Sequence, residues 1–286
     1  MYPILFKIAD FTLYSYGVFV ALGFLAGISF ALREARRVGE DPEKVLDLCF
    51  WILIAAIVGS RLMFILLNIK EYIKYPAEVI KIWRGGLIFY GGVVLSVIAA
   101  AVFMRRHKLN PWKVSDIVSP GIALGLFFGR LGCFLAGCCY GKPTDFPWAV
   151  TFKNPASLAT LNVSLHPTQL YSSLNGLLLF LILLVMRRFK KFDGQITISF
   201  FFLYAVTRSI IAVFRKQWDY IIPPGSLPYF TGFSLSTSQF TSILVAIVSL
   251  YLFFYLYKKA LKPEGVKKTA KEESEKKKRG GGKRSS

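Results

Sequence analysis

Residues 45–67 read VLDLCFWILIAAIVGSRLMFILL, a run almost wholly apolar from Leu48 onward that nevertheless carries one cation, Arg61. About 20 apolar residues cross the roughly 30 Å hydrocarbon layer of a bilayer, so this run predicts a membrane-spanning helix. An arginine at mid-bilayer costs about 2.5–3.5 kcal/mol on insertion scales, so Arg61 needs a partner inside the protein or in a wet cavity. Working outward, six further runs are long and apolar enough to span: 11–32, 86–104, 114–137, 168–186, 194–214 and 236–257. Apolar residues make up 54% of the 286-residue chain and 26 residues are Phe, which fits a polytopic membrane protein and excludes an ordinary soluble domain. The chain start lacks the basic segment and short apolar run of a cleavable signal peptide, so the first span is expected to be retained. The expected fold is all-α, with a seven-span membrane domain over residues 1–257 and a basic disordered tail over 258–286.

Basic residues set the expected orientation. Four follow each of the first, third and fifth spans and twelve lie beyond Tyr257, which puts two thirds of the 36 lysines and arginines on one side. That side is expected to be the cytoplasm, with the N-terminus outside and the C-terminus inside. Topology therefore accounts for the net charge of +20, and no nucleic-acid partner is expected. The tail suits non-specific contact with anionic membrane lipids.

Two other spans carry arginines. Arg61 lies 16 residues past Val45, Arg130 13 past Ile117 and Arg208 14 past Gly194. At 1.5 Å per residue these are depths of about 24, 20 and 21 Å from the basic side, a common layer in the outer third of the membrane. No span carries Asp or Glu in its outer half, so the three guanidinium groups are expected to receive an anion from elsewhere. A phosphate matches their forked donors. Tyr16 and Tyr90, each followed by glycine, fall in the same layer, as do His166, Gln169 and Tyr171 at the outer start of the fifth span. A neutral imidazole at His166 suits proton transfer near neutral pH or a local hydrogen bond.

The densest signal is Gly129-Arg130-Leu131-Gly132-Cys133-Phe134-Leu135-Ala136-Gly137-Cys138-Cys139-Tyr140-Gly141-Lys142. Its glycines predict a closely packed helix end whose freed backbone groups face a cavity. The run resembles the signature of the prolipoprotein diacylglyceryl transferase family, and the likeness continues through Tyr16-Gly17, Gly59-Ser60-Arg61, Gly85 to Gly92, His166 to Tyr171, and Tyr204 with Arg208 and Arg215. The resemblance implies transfer of diacylglycerol from phosphatidylglycerol to the thiol of a lipobox cysteine in a preprolipoprotein. It implies release of glycerol 1-phosphate at the outer side of a bacterial cytoplasmic membrane, without cofactor or metal. By analogy Arg130 and Arg208 grip the phosphate, joined by Arg61, Gly129, Gly132, Gly141 and Gln169, while His166, Tyr16 and Tyr90 position groups or handle protons. The chain departs from the pattern at Tyr90, where many members carry His, and at Cys133 and Cys138, which replace Asn and Glu. Ala212 and Ser172 stand where a Glu is common.

Cysteines supply the rival expectation. Cys133, Cys138 and Cys139 lie on the outer side, where thiols pair, whereas Cys49 is near the basic end of its span. A bridge from Cys133 to Cys138 or Cys139 would staple the glycine-rich segment, and a thiol redox membrane protein is the alternative enzyme class. The spacing is not CxxC, and adjacent cysteines suit tetrahedral zinc poorly. A non-enzymatic lipid-binding or transport protein is the other alternative, although no internal repeat is visible. Residues 68–84, with Lys70, Lys74, Lys81 and Arg84 set against Ile69, Tyr72, Ile73, Val79, Ile80 and Trp83, predict an amphipathic arm. Residues 138–165 predict an irregular loop or small cap, and 216–235 a turn-rich loop.

Overall fold

The computed structural model describes residues 2–8, 11–80, 85–215, 220–222 and 235–261. Seven of its helices are long and apolar enough to cross a membrane. They are α1 (Ser15–Arg37), α2 (Pro42–Leu67), α4 (Phe89–Arg106), α5 (Pro111–Ala136), α6 (Thr168–Met186), α7 (Gln195–Phe214) and α8 (Thr237–Leu261). A six-residue α3 (Ile69–Lys74) and a 3-10 turn (Pro76–Ile80) form the arm after α2. Residues 81–84 of that arm, most of the 216–235 loop and the tail beyond Leu261 lie outside the described residues.

The first span starts later than the hydropathy alone predicts. Phe11–Tyr14 (β2) pairs antiparallel with Ile4–Ile8 (β1) in a hairpin, with Phe6 opposite Leu13 and Lys7 opposite Thr12. The backbone N–H of Ser15 then bonds Pro3 O (3.0 Å), and α1 begins there. Four residues that read as helix are thus claimed by a strand partner, because apolar, β-branched runs satisfy either state until tertiary pairing decides. At the basic end α2 and α5 begin earlier than predicted. Asp41 and Asn110 cap them by accepting from Glu43 N (3.0 Å) and Trp112 N (3.1 Å), each with proline in the first helical position.

Apolar surface gives helices no reason to prefer each other over lipid, so association rests on close backbone approach. The crossings follow that rule. Where α1 meets α5, a Cβ on Gly27 would lie 2.9 Å from Gly121 O, and one on Gly121 2.7 Å from Gly27 O. Where α2 meets α4, the corresponding distances for Gly59 and Gly91 are 2.4 and 2.3 Å, so the two backbones touch. On α6, Gly176 sits against Phe127 N of α5, which a Cβ would approach to 2.9 Å. Helix α8 packs on α7, and two further short ladders, β3 (Val150–Thr151) with β4 (Ser164–Leu165) and β5 (Tyr220–Ile222) with β6 (Leu235–Ser236), lie in the connections.

Two buried carboxylates knit the basic end. Glu34 of α1, 5% exposed, accepts from Arg37 (2.6 and 2.9 Å) and pairs with Arg187 at the end of α6. Asp116 of α5 accepts from Gly194 N (2.8 Å), Thr197 N (2.9 Å) and Thr197 Oγ1 (2.9 Å), and pairs with Lys190 (2.9 Å). A carboxylate on one helix therefore caps the N-terminus of another, where orphan amides and the helix dipole both favour negative charge. Lys190 is held protonated above its usual range, against the opposing pull of burial, by hydrogen bonds to Asp193 and Asp116. These pairs tie α1, α5, α6 and α7 together at one end and leave the opposite end to the arginines.

Candidate functional site

At that opposite end α5 and α7 carry Arg130 and Arg208, both half-buried. Tyr204, one turn before Arg208 on α7, hydrogen-bonds Arg130, so the two helices share one cationic layer. Arg208 lies in the field of Arg215 and of Arg130. Tyr16, at the first turn of α1, faces Arg130 and the sulfurs of Cys133, Cys138 and Cys139. Gly132 makes that approach possible, because a Cβ there would meet Phe19 Cβ at 3.0 Å and Tyr16 O at 3.2 Å. Among the described residues no carboxylate pairs with Arg130 or Arg208.

The segment after α5 wraps this cluster. Gly137 ends the helix in the left-handed region (φ +76°), and a Cβ there would collide with Ser157 Oγ. Cys139 is also left-handed (φ +60°), a conformation that costs a non-glycine residue energy and persists only when its surroundings impose it. The first turn of α6 imposes it: Gln169 Nε2 donates to Cys138 O (2.8 Å) and Thr168 Oγ1 to Cys139 O (2.9 Å). Gly141 then threads between two backbones. Its N–H donates to His166 O (3.0 Å), and beside it His166 N–H bonds Lys142 O (3.0 Å) and Lys142 N–H bonds Phe214 O of α7 (2.9 Å). The loop is thus laced to α6 and α7 at once.

His166 is 8% exposed and sits between the rings of Phe146 (5.5 Å) and Phe214 (5.2 Å). Trp148 Nε1 donates to the Tyr171 hydroxyl (2.7 Å), which also shares a hydrogen bond with His166 Nδ1 (3.2 Å). Burial, and then the Lys142 charge, hold the imidazole below its usual range, so it is neutral at pH 7. Gln169 is fully buried, and its Oε1 has no hydrogen-bond partner while its Nε2 holds Cys138.

Cys133, Cys138 and Cys139 are free thiols here, unbridged. Their sulfurs nonetheless lie within 4.8 Å of one another. Cys138 Sγ donates to Cys133 O (3.8 Å), and the Cys139 thiol is held below the ordinary thiol range by the neighbouring Cys133 and Cys138 thiols and then by the Arg215 and Arg130 charges.

Two expected members stand apart. Arg61 donates to Val79 O (3.1 Å), Gly85 O (2.8 Å), Gly86 O (3.3 Å) and Glu78 O (2.5 Å), with Phe64 and Tyr72 rings against its guanidinium. It clamps the arm between α2 and α4, and the structure does not gather it with Arg130 and Arg208. Tyr90 is 73% exposed beside Phe89 at the start of α4, on the helix that packs against α2, and is not gathered either. Equal depth along separate helices therefore does not mean one cavity: depth was legible, and the direction each residue faces was not. Arg61→Leu removes a charge-assisted set worth about 1.5–3 kcal/mol per bond. Trypsin is expected to cut the arm on the order of ten times faster in that variant, read by intact mass against time.

Tyr204 and Arg215 had no separate role assigned from the residues. The four-residue spacing of Tyr204 and Arg208 on one helix face was the available signal for the first. Arg215, just past the end of α7, forms a bridge with Gly141 and stands near Cys139.

Seven membrane-length helices that gather arginines, tyrosines and thiols at one end, with no carboxylate paired to Arg130 or Arg208 among the described residues, mark a multi-pass membrane protein. The profile of the prolipoprotein diacylglyceryl transferases matches residues 3–255, and the chain belongs to that family. It is 34% identical over 253 residues to the phosphatidylglycerol–prolipoprotein diacylglyceryl transferase of Clostridium tetani, covering 88% of this chain and 97% of that one. It is likewise 34% identical over 260 residues to the protein of the same name from Finegoldia magna (91% and 97% covered). The Ruegeria pomeroyi protein of that name is 34% identical over 284 residues (91% and 96% covered).

Proposed function

We infer that this chain transfers the diacylglyceryl group of phosphatidylglycerol to the cysteine thiol of a prolipoprotein. The observation that carries the site assignment is the meeting of Arg130, Arg208 and Arg215 around Tyr16 and Tyr204 with no carboxylate partner among the described residues. Such a cluster binds a phosphodiester and stabilises the charge that grows on its oxygen as the glyceryl C–O bond breaks. The substrate thiolate attacks the glyceryl carbon, an S–C bond forms, and glycerol 1-phosphate leaves with the bonding electron pair. The thiol proton passes to a neutral acceptor, for which His166, wired to Tyr171, is the candidate, while Tyr16 positions groups beside Arg130. Tyr90, exposed at the head of α4, is better placed to meet lipid or peptide on entry. Arg61 acts as a positioning residue that fixes the arm, while Gly129, Gly132 and Gly141 shape the walls and the buried Gln169 holds Cys138 in place.

The basic-residue distribution supports an orientation with the N-terminus outside, the basic end in the cytoplasm and the arginine cluster toward the outer leaflet of a bacterial cytoplasmic membrane. The lipobox segment of the prolipoprotein would then reach the cluster from outside.

The reaction is tested by incubating purified protein in detergent with phosphatidylglycerol and a lipobox peptide. The peptide cysteine is expected to gain the mass of one diacylglyceryl group, and glycerol phosphate to appear in equal amount. A peptide unchanged in mass after prolonged incubation with folded protein overturns the assignment. Thiol labelling of Cys133 that rises with an added electron donor instead would establish the redox alternative.

A further inference from the structure

The three thiols are not needed for a displacement in which the nucleophile belongs to the substrate, and their arrangement is not that of incidental cysteines. Cys133 comes from the last turn of α5, while Cys138 and Cys139 come back to it after Gly137 reverses the chain. The return is fixed at several points: Cys138 N–H bonds Cys133 O (3.2 Å), Gln169 holds Cys138 O, and Thr168 holds Cys139 O. Cys139 occupies the left-handed region under those restraints. Strain maintained by neighbouring hydrogen bonds is a mark of a position whose geometry is used. The outcome is three sulfurs within 4.8 Å of each other, one buried and two half-buried.

We propose that Cys133, Cys138 and Cys139 form a three-sulfur site for a thiophilic monovalent cation, of which Cu(I) is the type. Three sulfurs each about 2.3 Å from a central ion lie about 4 Å apart, so the observed cluster needs to contract by under about 1 Å. Soft thiolate donors select Cu(I), and a trigonal set of three satisfies it. Structural zinc takes four protein ligands, and the group found here has three. Binding releases to solvent whatever protons the three sulfurs still carry and makes no redox change. The product is a dianion, and Arg130, Arg208 and Arg215 stand in the field of the thiols to balance it. Cationic surroundings that repel a bare ion thus favour the thiolate complex.

The test uses the full chain, reduced and purified in detergent without oxygen, titrated against a chromophoric Cu(I) chelator. About one equivalent of Cu(I) is expected to leave the chelator, with a sulfur-to-copper absorption band in the near ultraviolet. Loss of an outer-shell partner alone weakens metal sites about 10–100-fold, so Cys133→Ser, Cys138→Ser and Cys139→Ser are each expected to weaken binding at least that much. Cys49→Ser, altered in the distant core of α2, should leave it unchanged. In the unaltered chain Cu(I) should also protect Cys138 and Cys139 from maleimide labelling, a readout that does not depend on any variant folding. No uptake by the reduced protein, equal labelling with and without Cu(I), displacement by equimolar Zn(II), or loss of binding in Cys49→Ser would each overturn the proposal. None of these readouts involves lipid transfer, so they stand or fall apart from the enzymatic assignment.

Discussion

Arg130→Ala and Arg208→Ala are each expected to lower kcat/KM for diacylglyceryl transfer by about 100–1000-fold while the protein remains folded. That is the range found when one donor aimed at developing negative charge is removed from a preorganised site, about 2.7–4 kcal/mol. Arg130→Lys and Arg208→Lys keep the charge and lose the fork, so they should fall most of the same way, because an ammonium cannot reproduce two parallel bonds to phosphate oxygens. The losses should fall mainly in kcat, since the extra charge on the leaving phosphate exists only as the C–O bond breaks. Folding is secured elsewhere: α5 and α7 are locked at the basic end by Asp116 with Gly194 and Thr197, and α1 and α5 by the Gly27–Gly121 contact. Thermal unfolding of the lysine variants should therefore match the parent chain. Tyr204→Phe, which frees Arg130 from its hydrogen bond, should cost less than either arginine change. Unaltered turnover in both lysine variants would remove the phosphate grip from these residues.

The sequence made some of this legible for physical reasons and hid the rest for physical reasons. Hydropathy located all seven spans because lipid imposes length and apolarity on each one separately. It misplaced the start of α1, where Phe11–Tyr14 found a strand partner in Ile4–Ile8, a tertiary choice no local pattern encodes. Depth along a helix follows from residue count, which is why Arg130 and Arg208 could be placed in one layer. Azimuth depends on which helix packs where, and so Arg61 and Tyr90 on the α2–α4 pair were grouped with residues on α1, α5 and α7. The carboxylate caps at the basic end went unread because Asp116 serves a helix whose N-terminus lies 78 residues further along the chain. Thiol convergence was equally hidden. Adjacent cysteines look incompatible with one centre until a left-handed residue turns the second back.

The glycines of the signature divide in a way that the sequence could not show, and Gly141→Ala is expected to do more damage than Gly129→Ala or Gly132→Ala. A Cβ at Gly141 would lie 2.6 Å from His166 Cβ, 2.6 Å from Phe214 O and 2.8 Å from His166 O. Two of those neighbours are carbonyl oxygens in the lacing that joins the loop to α6 and α7, and neither can swing aside as a side chain can. Relief requires parting the strand from one wall, which breaks the Gly141–His166 or the Lys142–Phe214 hydrogen bond and moves Cys139 and His166 with it. Overpacking of this kind costs about 1–3 kcal/mol, and the displacement falls on site residues, so transfer should drop by more than the stability loss alone explains. Gly132→Ala meets a side-chain carbon at 3.0 Å and should be milder. Gly129 has nothing within 4 Å of a built Cβ, so Gly129→Ala should leave stability unchanged or raise it by up to about 1 kcal/mol through helix propensity. Melting temperature and initial transfer rate measured on the three variants side by side check the order. A Gly141→Ala protein as stable and as active as Gly129→Ala would show that the loop is not pinned between α6 and α7.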